Sequence, residues 1–140
     1  MIIQDKPKVF LKLSEKWTIT DLTYARAAEF FVDSLKNNNF RYSPFGGLSM
    51  SKLRGIYSLI TNIYTRVNKA ADFEEYKSDL QYIKVKMAYE SGREKAVEKF
   101  VTSTGLMAAL DQIKTYDQFI LYCRYAESLV AYFKFYGGKE

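Results

Sequence analysis

The stretch TYDQFILYCRYAESLVAYFKFYGG, residues 115–138, decides how this chain folds. Phe119, Cys123, Ala126, Val130 and Phe133 recur at steps of four and three, which sets them on one face of a helix. Tyr122, Tyr125, Leu129, Tyr132 and Tyr136 form a second stripe beside the first. Together the stripes cover more than half the circumference, so the helix has to be enclosed, by its own bundle or by a neighbouring subunit. Thr115 and Gln118 have the spacing of a capping box at its start, and Gly137-Gly138 stop it. Cys123 lies in an apolar stripe and reads as a packing residue. The tyrosines read in two ways. They are core, or some of their hydroxyls face a partner together with the outward cations Arg124, Lys134 and Lys139.

Working outward, helices precede this one. Thr115 follows a short helical stretch from Leu106 to Ile113, which Gly105 separates from an apolar helix over 93–101. Before that comes a helix opened by Asp72, with Glu74 and Glu75 where the helix dipole favours negative charge. Its core face is Tyr76, Leu80, Ile83 and Met87, and Ser91-Gly92 is a point where it kinks or breaks. The cleanest pattern in the chain is Leu53, Ile56, Tyr57, Ile60, Ile63, Tyr64 and Val67, behind a cap at Ser49 or Ser51. Lys52, Arg54, Arg66 and Lys69 flank that face, and no acidic residue occurs between Ser51 and Ala71. A first helix runs from Leu22 to Leu35, with Thr20 or Asp21 as its cap and Asn37, Asn38 and Asn39 at its end. The segment FRYSPFGGLS, residues 40–49, is a loop. Residues 1–20 read as an extended arm, because Pro7 and the lack of a clear second strand argue against a sheet. The expectation is an all-α protein, a compact bundle of five to six helices over 21–136 in a single domain, 1–140, with an extended N-terminal arm.

Composition narrows the chemistry. The chain of 140 residues has no histidine and one cysteine. A Ser-His or Cys-His nucleophile, a His-ligated metal and a multi-cysteine zinc site are all excluded from it. The one cysteine agrees with a reducing compartment. No apolar run has membrane-spanning length, and MIIQDKPKVF interrupts any signal-like segment with Asp5 and Pro7, so a cytoplasmic location is expected. A net charge of +5 suits a polyanionic partner.

The run CRYAESLVAYFKFYGGKE, residues 123–140, closely resembles the C-terminus of the small subunit of the type III-A CRISPR effector complex, the Csm complex. SKLR at 51–54, YESGREKAV at 89–97 and LMAALDQI at 106–113 support the likeness in the same order. It covers about residues 49 to 140. The resemblance implies a non-catalytic helical subunit without a cofactor. Several copies would stack head to tail in a minor filament beside the backbone subunits and line the channel for the guide–target RNA duplex. RNA cleavage would belong to the backbone subunit, and DNA cleavage and cyclic-oligoadenylate synthesis to the large signature subunit. The positions that match are Lys52 and Arg54, Arg93, and Arg124, Lys134 and Tyr136.

The residues themselves agree with such a role. A surface that lines a duplex needs cations spaced to meet phosphates, while base pairing supplies sequence recognition. Lys52, Arg54, Arg66 and Lys69 are candidates on one helix. Lys86 and Arg93 are seven residues apart and share a face if their helix continues through Gly92. The competing view is of solvated surface charges, paired for instance with Glu90 or Glu94. Stacking needs two different complementary surfaces; excess apolar area on the last helix, with Phe40, Tyr42 and Phe45, could provide one, unless that loop covers its own core. Two other functions stand beside this one. The first is a helical protein–protein adaptor without nucleic-acid contact. The second is a metal-dependent nuclease using Asp72, Glu74, Glu75 and Asp79, against which stands the plainer reading of an acidic first helical turn.

Overall fold

A computed structural model describes residues 6–36, 48–67 and 70–137. It contains a two-stranded hairpin, β1 (Phe10–Lys12) and β2 (Thr18–Thr20), and five helices: α1 (Tyr24–Ser34), α2 (Met50–Arg66), α3 (Ala70–Arg93), α4 (Lys95–Ser103) and α5 (Tyr116–Phe135). A 3-10 turn, Ala108–Gln112, joins α4 to α5. The expected largely all-α bundle is the observed architecture.

The ring-rich α5 is the central element, packed against α1, α2, α3 and β1. Phe119, Tyr122, Tyr125, Leu129 and Phe133 are fully enclosed. Phe119 meets Phe73 of α3 with ring centroids 5.5 Å apart, and Phe133 meets Phe100 of α4 edge-on at 6.5 Å. The capping box at its start is present: the Thr115 side chain accepts the Gln118 N–H, and Gln118 Oε1 accepts from the N–H of Thr115 at 3.2 Å and of Lys114 at 2.7 Å. The helix gives way at Gly137, which takes a left-handed φ of 93°.

Both wide tyrosines of the core use their hydroxyls on one turn. Tyr122 donates to the Leu106 carbonyl at 2.7 Å, and Tyr125 donates to the Thr104 carbonyl at 2.5 Å. Between those carbonyls lies Gly105 with φ +78°; a Cβ there would stand 2.7 Å from Leu13 Cβ and 2.9 Å from the Leu13 carbonyl oxygen. The turn is therefore fixed by α5 on one side and pressed by the hairpin on the other. Burial pushes both phenols up, so they remain protonated donors.

The segment expected as an extended arm is extended but not free. Leu11 pairs with Ile19 across an antiparallel ladder, and Leu11, Leu13 and Ile19 are buried while Phe10 and Lys12 face water. Ser14 closes the turn without a glycine: its Oγ accepts the N–H of Lys16 and Trp17, while the Leu13 N–H donates to the Trp17 carbonyl at 2.8 Å. Gln118 Nε2 donates to the Phe10 carbonyl at 3.0 Å and so ties the hairpin to the start of α5.

Two boundaries differ from expectation. Neither Thr20 nor Asp21 caps α1; Thr23 holds that position, its Oγ1 accepting the Thr20 N–H at 2.9 Å. Asp21 is occupied elsewhere, accepting the N–H of Lys8 at 2.8 Å and of Val9 at 3.1 Å. Helix α3 does not break at Ser91-Gly92 but runs to Arg93. The break falls at Glu94, whose extended backbone (φ −134°, ψ 115°) stands at the N-cap position of α4.

Substituting Gly105→Ala combines a left-handed backbone with the Leu13 clash, and is expected to lower unfolding stability by at least about 2 kcal/mol in urea titrations. Tyr125→Phe, which leaves the buried Thr104 carbonyl without its donor, should cost about 1–3 kcal/mol in the same measurement. Acid should loosen the hairpin. The backbone N–H groups of Val9 and Lys8 hold the Asp21 carboxyl below its ordinary 3.8. Its contribution is thus complete above that value and is lost as pH falls through the lowered one. Between about pH 5 and pH 2, Asp21→Asn should flatten the fall in urea midpoint relative to the parent chain.

Candidate nucleic-acid interface

Helices α2 and α3 run antiparallel. Lys52 near the start of α2 reaches Glu94 beyond the end of α3 at 3.1 Å, and Arg66 at the end of α2 reaches Asp79 of α3 at 3.7 Å. Their seam is a groove made of two adjoining hollows. One, of about 290 Å³, is lined by Lys52, Gly55, Ile56, Lys86, Glu90 and Val97 among others. The next, of about 400 Å³, is lined by Ser58, Asn62, Arg66, Asp79, Tyr82 and Ile83, and Leu59 lines both. The sequence explains why α2 forms its wall. Leu53, Ile56, Ile60 and Ile63 turn into the core, which leaves Lys52, Gly55, Ser58, Asn62 and Arg66 along the outer edge. No residue of α2 is acidic, and α3 carries no carboxylate between Asp79 and Glu90.

The expected cations do not all gather here. Lys52, Arg66 and Lys86 line the seam, and Arg93 shares the face of Lys86 because α3 continues through Gly92. Arg54 is exposed on α2. Lys69 lies outside the described residues, as do Lys139 and the loop residues Phe40, Tyr42 and Phe45. Arg124 sits in a separate hollow with Lys8, Asp21 and Asp117. Lys134 is exposed near the end of α5. Tyr136 turns to α1, donating its hydroxyl to Glu29 at 3.3 Å beneath the ammonium of Lys36, 5.3 Å from the ring centre. The residues matching the terminal motif therefore lie apart from the seam.

Several of the cations have intramolecular carboxylates. Besides Lys52 and Arg66, Arg93 pairs with Glu90 at 3.6 Å. The side chains of the Lys52–Glu94 and Arg66–Asp79 pairs are 37–48% exposed. Ion pairs so exposed are worth about 0–1 kcal/mol, so a phosphate can exchange for the carboxylate at small loss. Arg66 is held more firmly than Lys52, since its Nε also donates to the Asn62 carbonyl at 3.2 Å and its guanidinium lies 5.0 Å from the Tyr76 ring centre.

Two features escaped the sequence reading. On α3, Tyr82 and Tyr89 stand 58% and 60% exposed, off the core face. Lys86 lies 5.5 Å from the centre of the Tyr82 ring, and Arg93 lies 5.7 Å from that of Tyr89. The signal was present as two Tyr–cation pairs at i, i+4 spacing. The second feature is an aromatic patch where the hairpin meets α1: Trp17, Phe30 and Phe31 have centroids 5.0–5.6 Å apart, with Trp17 and Phe30 exposed. Its parts are distant in sequence, and the hairpin that joins them was not foreseen.

The acidic residues considered for a nuclease lie in the first turns of α3. Asp79 faces Arg66, and Glu74 pairs with Lys77 at 3.2 Å. Among the described residues no group of three or more His, Cys, Asp or Glu is placed to hold a metal ion. Burial pushes the Cys123 thiol far up, which makes it unreactive. Among the described residues no helix is long and apolar enough to cross a membrane.

Fold and surface together define a small basic helical bundle with a cation-edged seam between α2 and α3. Comparison with known proteins gives the narrower placement. The family model Csm2 Type III-A matches residues 27–139. The "CRISPR system Cms protein Csm2" of Streptococcus thermophilus is 38% identical over 123 residues, covering 87% of this chain and 98% of that protein. Its namesake from Enterococcus italicus is 41% identical over 124 residues, covering 83% and 89% respectively. One from Mycobacterium tuberculosis is 34% identical over 97 residues, covering 66% and 78%. The chain belongs to the Csm2 type III-A family, the small-subunit family of the type III-A CRISPR complex. The family match begins inside α1, well before the motifs that carried the likeness from about residue 49.

The exposed Lys52–Glu94 pair should matter little to stability. Lys52→Ala is expected to change the unfolding free energy by less than about 1 kcal/mol in urea titration.

Proposed function

We propose that this protein is a non-catalytic, cytoplasmic component of an antiviral type III-A CRISPR ribonucleoprotein, and that it lines the guide–target RNA channel with basic side chains. It needs no cofactor. It contacts the RNA backbone, the backbone subunit and the large signature subunit, and stacks head to tail with further copies of itself. The observation that carries the RNA reading is the acid-free length of α2, with Lys52, Arg54 and Arg66 along it. Such a helix meets phosphates without reading bases, which is what a partner already specified by base pairing requires. Family membership supports the assembly. The exposed Trp17–Phe30–Phe31 patch supports a protein contact at the hairpin end, because large apolar groups left together in water mark an interaction surface. The exposed Phe135 of α5, beside the rings of Tyr132 and Tyr136, supports the surface expected from the terminal helix as well. Lys69, Lys86, Arg93, Arg124, Lys134 and Tyr136 remain proposed contacts of the same kind.

Salt titration of RNA binding tests this reading against a helical adaptor without nucleic-acid contact. With about four to six phosphates met, affinity should fall roughly 10²–10³-fold between about 50 and 200 mM salt. Lys52→Ala combined with Arg54→Ala should weaken RNA binding while circular dichroism keeps its helical amplitude. A flat salt response would make the chain an adaptor.

A further inference from the structure

Lining a duplex leaves the exposed tyrosines of α3 without a task. Tyr82 and Tyr89 place more than half of their surface in water on the outer side of a helix whose other face is core. They add nothing to the packed interior, unlike Tyr122 and Tyr125. They are seven residues apart, about 10.5 Å along the helix. Each is followed four residues later by a cation lying near its ring, Lys86 at 5.5 Å and Arg93 at 5.7 Å. Tyr82 and Lys86 open into the groove walled by the acid-free α2. Tyr89 and Arg93 repeat the unit two turns further along α3, and rings paired with cations match a strand that offers both flat π faces and phosphates.

We infer that the α2–α3 seam binds an unpaired nucleic-acid strand, with bases stacked on Tyr82 and Tyr89 and phosphates met by Lys86 and Arg93. This rests on the nucleic-acid reading above and adds to it an unpaired strand beside the duplex. In a duplex each base face is covered by its neighbours, so protein rings have nothing to stack on, and only the cations are used. An unpaired strand uses both. A base arriving on a ring displaces the cation now beside it, and the freed cation meets the adjoining phosphate. The carboxylates at the seam, Asp79, Glu90 and Glu94, are each held by a cation of the chain, Arg66, Arg93 and Lys52. Lys86 lies between those pairs, and a phosphate that reaches Arg93 takes the place of the Glu90 carboxylate.

The test is fluorescence anisotropy of the full chain with labelled RNA and DNA single strands of about 12 nucleotides and an RNA duplex of the same length. Tyr82→Ala with Tyr89→Ala should weaken single-strand binding by about tenfold or more and move duplex binding by less than about twofold. Tyr82→Phe with Tyr89→Phe, which keeps the rings, should retain affinity for the strand. Lys86→Ala with Arg93→Ala should lower the salt slope for the single strand by about 1.4. Binding of the RNA strand, the DNA strand or both supports the inference and identifies its source. Equal losses for strand and duplex, or none for either, overturn it. So does an unchanged strand affinity with a tyrosine-dependent change in the size of the free protein, which would make this face a contact between copies. Salt-sensitive duplex binding that survives such a result leaves the broader RNA reading intact. A chain that binds no RNA in a salt-sensitive way removes both.

Discussion

Two phenolic O–H groups inside the bundle hold the rest of the molecule in register. Tyr122 and Tyr125 of α5 donate to the carbonyls on either side of Gly105, and a buried carbonyl without a donor costs about 1–3 kcal/mol. That requirement fixes where α4 ends, because Thr104 is both its C-cap and the Tyr125 acceptor. It also fixes the hairpin, since Leu13 packs against the bare Cα of Gly105. The side-chain size that makes tyrosine a good core residue and the hydroxyl that makes it a directional one act here together.

Much of this was legible in the sequence, where signals were local and repeated. The two stripes of α5 have a period no strand could use. The Thr115–Gln118 box needs only four residues to declare itself, and Leu53, Ile56, Ile60 and Ile63 give α2 a face behind its Ser49 cap. The hairpin was not legible, because its strands are three residues long and the second offers a single buried apolar residue, Ile19. Its turn is closed by the Ser14 hydroxyl, where a glycine or an Asn-Gly pair would have announced it. The break after α3 was misplaced for a similar reason. Gly92 is the residue with low helix propensity, but a Cβ there would meet open space, and the chain turns instead at Glu94, whose carboxylate Lys52 holds from another helix.

The candidate site was legible in part. A helix without acidic residues is visible in composition, so Lys52, Arg54 and Arg66 could be named. Whether a cation faces solvent or a carboxylate depends on which helices become neighbours. Arg66 meets Asp79 and Lys52 meets Glu94 through tertiary packing. Tyr136 shows the same limit: its motif is recognisable, but its hydroxyl goes to Glu29 of a helix more than a hundred residues earlier.

The single tryptophan of the chain, Trp17, sits at the edge of the hairpin between water and the rings of Phe30 and Phe31. Its indole is thus an intrinsic optical probe at the place where a neighbouring molecule would dry the surface. Covering it shifts emission toward the blue, and detaching the hairpin from α1 shifts it toward the red. Assembly and local opening become distinguishable by colour, with no dye attached to a protein whose one thiol is sealed inside.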